Sequence, residues 1–328
     1  MIDIRGLFTR EAIIRRLKAS KKIVTPVMDT IFGDRPQLAL PIVSADMVRQ
    51  VVRTMPVVRR GGASISVGGG SGTTAFYEPL AARPNTMVVG ADLNNLKILG
   101  GTGREAWAAE KQDMLRKTCR KTAEAMAAVA LSGRLVWPVQ LENGQLEEWE
   151  VDFGEILTFD APKKWDATGD NKARLKDVFE TCQAMEEKLQ EMGYGGTVER
   201  WAGKTAYATL YGLAESHTST AKMKVEVTEK GINVGGFLIK RRSERHFNPK
   251  TKEMVPVVGD NDLMIIATDA GHIMPYCALD DLDANLQPLP FFTKPIKLDD
   301  PSGYKLVGES KPFPIPNVDG ICKSTVVG

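Results

Sequence analysis

The residues with the clearest potential for chemistry lie in a glycine-rich loop. Gly70-Ser71-Gly72-Thr73-Thr74-Ala75 matches the G-x-G-x-x-A pattern of dinucleotide-binding turns, and Asp92 stands where a ribose-binding carboxylate could be. That chemistry needs a helix beginning inside the turn, so that its first backbone amides face the pyrophosphate. Pro79 and Pro84 oppose such a helix, and the absence of Lys from the loop removes the phosphate-binding loop of the ATPases. The three histidines, His217, His246 and His272, form no H-x-x-x-H pair. His272 follows Asp269-Ala270-Gly271, where a weak metal or acid/base pair competes with a plain strand-end turn, the reading preferred here. No G-x-S-x-G elbow occurs, and Asp280-Asp281 and Asp299-Asp300 lack the spacing of a calcium loop. Cys119, Cys182, Cys277 and Cys322 are far apart, which fits reduced thiols rather than a disulfide framework. No catalytic residue, cofactor or metal is therefore expected.

Binding by charge is a separate matter. Over all 328 residues the net charge is only +2, but the first sixty hold 12 Lys/Arg against 5 Asp/Glu. Residues 142–191 reverse this, with 6 basic and 14 acidic residues. A basic arm on an acidic body suits a polyanion or an acidic partner. A second basic stretch, residues 240–252, has six Lys/Arg and one Glu; it could track phosphates, or simply face acidic neighbours. No signature of sequence-specific nucleic-acid recognition is present.

The elements that would carry these groups follow from breakers and periodicity. With 43% hydrophobic and 26% charged residues, the chain has a globular composition, ample for about two domains. No apolar run approaches the roughly 20 residues of a membrane span, and the charged Met1–Arg10 stretch does not resemble a signal peptide. Residues 1–45 read as an arm with one short helix, Phe8–Ala19, before Pro26, Gly33, Pro36 and Pro41. Such an arm has no core of its own and is expected to lie on something else. Residues 46–102 read as a long two-stranded loop, with strand-like Met47–Pro56, Gly62–Val67 and Thr86–Ile98. A ribbon of that kind is marginal alone, which argues for support from outside the chain.

Residues 104–132 contain neither Pro nor Gly and repeat apolar side chains at helical spacing, with Gly133 as a stop. The predicted helix would be about 42 Å long at 1.5 Å per residue. Asn143-Gly144 between Leu135–Leu141 and Leu146–Phe153 marks a hairpin. Helices are expected over 171–192 and 197–218, followed by strands at 225–227, 235–240, 254–258 and 263–268. Seven of the 18 prolines stand from Pro288 onward, between short strands.

The order of these parts resembles the tailed-phage major capsid proteins of the HK97-like fold, and at finer grain the lambda-like capsid protein E family. The residues that carry the resemblance are Pro26–Phe32 in the arm, then Val58-Arg59-Arg60-Gly61-Gly62, Phe76-Tyr77-Glu78-Pro79 and Pro84-Asn85 in the loop. Val151-Asp152-Phe153-Gly154 follows the hairpin, and Phe291-Phe292, Lys294 and Pro312-Phe313-Pro314-Ile315-Pro316 close the chain. The glycine-rich stretch 68–73 is a departure from the family pattern.

The resemblance implies an α+β fold with an N-terminal arm (1–45), an extended E-loop (46–102), a peripheral domain with the spine helix and hairpin (103–193), an axial domain (194–285) and returning C-terminal strands (286–328). It implies hexamers and pentamers of the chain itself, a scaffolding protein, a portal, a decoration protein and packaged double-stranded DNA held by non-specific charge. The location implied is the virion, assembled in the host cytoplasm, with no membrane partner. Candidate intersubunit contacts are Arg59, Arg60, Phe76, Tyr77, Pro79 and Trp107, with Trp201 a further aromatic anchor. Candidate basic residues of the inner surface are Arg10, Arg15, Arg16, Lys18, Lys21 and Lys22. Deleting residues 1–25 is then expected to impair assembly without unfolding 104–328. The competing readings are an encapsulin-like compartment, a nucleotide-dependent enzyme built on the glycine loop, and a non-specific DNA-binding module.

Overall fold

The computed structural model describes residues 3–44, 76–169, 172–216 and 224–328. The expected strands at 47–56 and 62–67, the glycine-rich loop, Arg59, Arg60 and His217 lie outside the described residues. The chain divides into two compact units: Met1–Thr25, Arg35–Ala123 and Met274–Phe313 form the first, and Pro26–Asp34, Glu124–Ile273 and Pro314–Gly328 the second.

Six helices are described: α1 (Arg10–Ala19), α2 (Pro26–Thr30), α3 (Gly90–Leu96), α4 (Gly101–Ala130), α5 (Leu175–Glu191) and α6 (Lys204–Glu215). The 30-residue α4 is the expected long element and is about 45 Å long. It ends because Gly133 turns left-handed at φ +85°, and a Cβ there would come 2.2 Å from the Gly154 carbonyl oxygen. The Gly133 carbonyl in turn accepts the Phe153 N–H at 2.9 Å, so the returning hairpin strand is fastened to the helix end.

In the first unit, Phe292–Leu298, Gly303–Glu309 and Asn85–Val89 form an antiparallel three-stranded sheet with Gly303–Glu309 in the middle. Its core gathers Ile4, Phe8, Ile13, Val88, Leu96, Leu115, Tyr304 and Leu306. Two expectations change here. The stretch 86–98 is not one strand: it pairs with Gly303–Glu309 as far as Val89, where Asp92 accepts the Val89 N–H and starts α3. The leading arm does not wait for another molecule. Its 3₁₀ turn Ile4–Phe8 and α1 fill the core of their own unit, and Val27, Met28, Ile31 and Phe32 are buried in the second. A segment rich in breakers cannot build a core, but it can be stapled onto one made by distant strands.

The second unit is organised by a seven-stranded mixed sheet. Its order is Leu157–Thr158, Ile321–Thr325, Asp262–Ala267, Val198–Ala202, Phe237–Arg241, Gly231–Val234 and Val225–Thr228. Helices α5 and α6 supply Val178, Cys182, Met185, Leu189, Ala206 and Leu210 to its core. The single helix expected over 197–218 is a strand followed by α6, because Val198–Ala202 lies between two other strands and helix formation is deferred to Gly203. A Cβ on Gly203 would be driven into the Gly259 carbonyl. Trp201 belongs to this interior: it is fully buried, donates its indole N–H to Glu199 at 3.0 Å, and lies under the Arg242 guanidinium at 4.4 Å.

The hairpin forms as expected, Arg134–Gln140 against Leu146–Asp152, and pairs with no other strand among the described residues. Gly144 has φ +80°, and the Asn143 side chain accepts the Gln145 N–H at 2.9 Å.

Candidate assembly surfaces

Helix α1 begins where Thr9 caps the Ala12 N–H, and its ten residues contain no breaker. Helical spacing then sorts the arm's charges. Arg10, Ile14 and Leu17 recur at i, i+4 and i+7 and line one side of a cleft in the first unit. Arg15 and Lys18 are exposed elsewhere on the cylinder, as are Lys21 and Lys22 beyond its end. Arg16 departs from the expected inner surface. It is buried, hydrogen-bonded to Gln112 at 3.0 Å and to the Leu7 carbonyl, with Glu105 at 3.2 Å, so its charge is absorbed within the unit. Glu105 also reaches Arg15 at 3.5 Å.

The cleft has a volume of about 720 Å³. Its lining is largely apolar, including Phe8, Ile13, Ile14, Leu17 and Leu289, and six of its lining residues are cations against the single carboxylate of Asp283. Within the unit, Asp3 holds Arg5, Asp113 holds Arg116, and Asp281 and Asp283 hold Lys294. Arg10 has no ion pair among the described residues.

The proposed intersubunit residues fare unequally. Phe76 pairs with Ser44 in a short antiparallel bridge. Tyr77 is half-buried, with its ring 6.2 Å from that of Phe313, and Pro79 is buried. Trp107 is half-buried against the core of the first unit. The structure draws Tyr77 and Trp107 partly into their own unit.

The basic stretch 240–252 meets acidic neighbours. Lys240 binds Glu199 at 2.7 Å, Arg242 faces Glu244 at 3.3 Å, Arg245 meets Asp260 at 2.6 Å, and Lys250 meets Glu148 at 2.8 Å. Little of its charge remains for phosphates.

A cluster missed by sequence reasoning lies in the first unit. Glu309 and Lys311 are each 2% exposed. Arg83 approaches Glu309 at 3.1 Å, Lys311 binds Asp280 at 2.8 Å, and Lys294 binds Asp281 at 2.7 Å. Burial raises the Glu309 pKa above the ordinary carboxylate value. The sequence signal was Asp280-Asp281, which reads as turn residues until its partners arrive from other strands.

His272 is no acid/base partner of Asp269. Its Nδ1 accepts the Asn317 N–H at 3.0 Å and its Nε2 donates to the Ala267 carbonyl at 3.0 Å, while Asp269 accepts the Gly196 N–H. Burial depresses the imidazole pKa to about 4, so the ring is neutral at ordinary pH. Burial likewise pushes Cys119 and Cys182 up to about 12 and Cys277 and Cys322 up to about 11, which leaves four unreactive thiols. No group of three potential metal ligands occurs among the described residues. Nor is any described helix long and apolar enough to cross a membrane.

Residues 9–326 match the family described as phage major capsid protein E. The chain belongs to that family. The fold agrees: a protein assigned to the capsid of an Escherichia coli CFT073 prophage superposes with a TM-score of 0.63 at 15% identity, over 97% of this chain and 98% of the other. Two more remote likenesses are a phage-related protein of Bordetella bronchiseptica RB50 (TM-score 0.48, 12% identity, 98% of each chain) and a virus-like particle of Pyrococcus furiosus (TM-score 0.44, 9% identity, 96% of this chain and 97% of the other). No curated protein sequence matches the chain. The fold is the HK97-like capsid fold, and the capsid protein is a structural component of the virion that self-associates to form the phage head.

Proposed function

We propose that this capsid protein E chain closes the head through hexamers and pentamers around double-stranded DNA, and that the cationic side of α1 lies on the inner surface. The observation that carries the assignment is the exposure of Arg15, Lys18 and Lys21 on one stretch of the arm, while Arg16 is held inside. Such a face binds phosphates without reading sequence, through neutralisation and counterion release.

In the same reading, 1–45 is the arm, 46–102 the E-loop, 103–193 with 286–328 the peripheral domain, and 194–285 the axial domain around the five- and six-fold axes. A scaffolding protein, a portal and a decoration protein complete the assembly in the host cytoplasm. The role is architectural, with no catalytic step and no cofactor.

Deleting residues 1–25 is a poor test, because Ile4, Phe8 and Ile13 are core residues and their loss would unfold the first unit. The sharper variant combines Arg15→Gln, Lys18→Gln and Lys21→Gln, which keeps those side chains long and the core intact. Expected are normal shells with markedly less retained DNA per particle. Shells with an undiminished DNA content would overturn the inner-surface assignment.

A further inference from the structure

The hairpin has two unlike faces. Paired positions alternate, so Leu135 and Val151 point to one side, where both are buried, and Trp137 on that side lies with its ring 6.3 Å from that of His246, tilted by 37°. The opposite face carries Val136, Pro138 and the exposed Leu146 beside Glu148, Glu150 and Asp152, all three carboxylates exposed, with Arg134 and Gln140 at the two ends of the first strand. Glu148 is engaged by Lys250 and Asp152 by Arg134 at 3.7 Å, whereas Glu150 has no ion pair among the described residues. The outer face is thus an apolar strip flanked by carboxylates, on a ribbon that no third strand supports among the described residues.

The cleft of the first unit has a different character: a largely apolar lining with six cations, of which Arg10 and Lys22 are exposed. We infer that the outer face of the hairpin of one copy docks into this cleft of a second copy, with Val136, Pro138 and Leu146 against its apolar lining and Glu150 against Arg10. Three observations carry it. The charges are complementary and sit on opposite partners, the apolar strips match, and the chain assembles with itself, so the complementary surfaces meet at high local concentration. The contact is heterologous, because each copy offers one hairpin and one cleft, and it therefore propagates around a ring or across a lattice. It rests on self-assembly as a capsid protein, but it divides the arm: Arg10 serves the contact, with Lys22 beside it in the cleft lining, while Arg15 and Lys18 remain for polyanions.

The test uses the full chain under conditions in which the unaltered protein forms shells. Glu150→Lys and Arg10→Glu are each expected to lower shell yield about tenfold, and the chain carrying both changes to recover it, since the reversed charges pair again between copies. Loss without recovery, in variants whose circular dichroism is native, would overturn the pairing. A second measurement reads geometry directly. With Glu150→Cys and Lys22→Cys in one chain, oxidised shells should give an interchain ladder on a denaturing gel, against a low background because the four natural cysteines are buried. Shells that form but give no ladder, or only an intrachain crosslink, would sink this contact and leave the capsid reading intact.

Discussion

Glu124, in the last part of α4, accepts the backbone N–H of Val27 at 2.7 Å, and with its other oxygen that of Met28 at 2.9 Å. A carboxylate 97 residues away in sequence therefore caps α2, a five-residue helix. Glu124→Ala should cost about 2 kcal/mol, because two charge-assisted bonds disappear and partly buried amides lose their acceptor. Denaturant unfolding is the measurement; a change within experimental scatter would show that water replaces the carboxylate.

The stop of α4 offers a second prediction. Gly133 is left-handed, and no Cβ fits against the Gly154 carbonyl. Gly133→Ala should destabilise the protein by more than about 1 kcal/mol through conformation and clash together. Gly144→Ala tests the separation of the two effects: it also has positive φ but nothing within 4 Å of its Cβ, so it should cost less.

Acid should weaken the second unit through His272. Its folded-state pKa is about 4 against an ordinary 6.5, so the unfolded chain binds the extra proton first as pH falls. The stability due to the neutral ring is complete above pH 6.5 and is lost progressively down to about pH 4, up to about 3 kcal/mol in all. Both ring nitrogens are already committed, and protonation would set a donor against the Asn317 N–H. Stability measured at several pH values should show this slope, and His272→Gln should flatten it between pH 6.5 and 4. An unchanged slope in the variant would assign the dependence to other groups.

Arg83 provides the fourth test. It faces the nearly inaccessible Glu309 and approaches Asp281 at 3.9 Å. Arg83→Met leaves a buried carboxylate without that cation and should cost about 3 kcal/mol at pH 7. Because the Glu309 pKa is already raised by burial, the penalty should shrink as acid neutralises the carboxylate. A cost independent of pH would mean that packing of the arginine stem dominates.

Local signals settled much of this protein. An uninterrupted run of helix formers made α4, Asn143-Gly144 made the hairpin, and Gly133 ended the helix, because each depends on backbone preferences within a few residues. The ordered set of short motifs along the chain likewise pointed to the capsid family. The failures share a cause. Val198–Ala202 reads as the start of a helix and becomes a strand because its neighbours in the sheet come from residues 237–241 and 262–267. Arg16 resembles every other cation of the arm, yet Gln112 and Glu105 take it inside. Asp281 looks like a turn residue until Lys294 and Arg83 reach it. Periodicity shows which faces are apolar and which residues are charged. Which partner meets each face is set by long-range pairing, and only the tertiary structure brings together residues whose interaction energy depends on their distance in space.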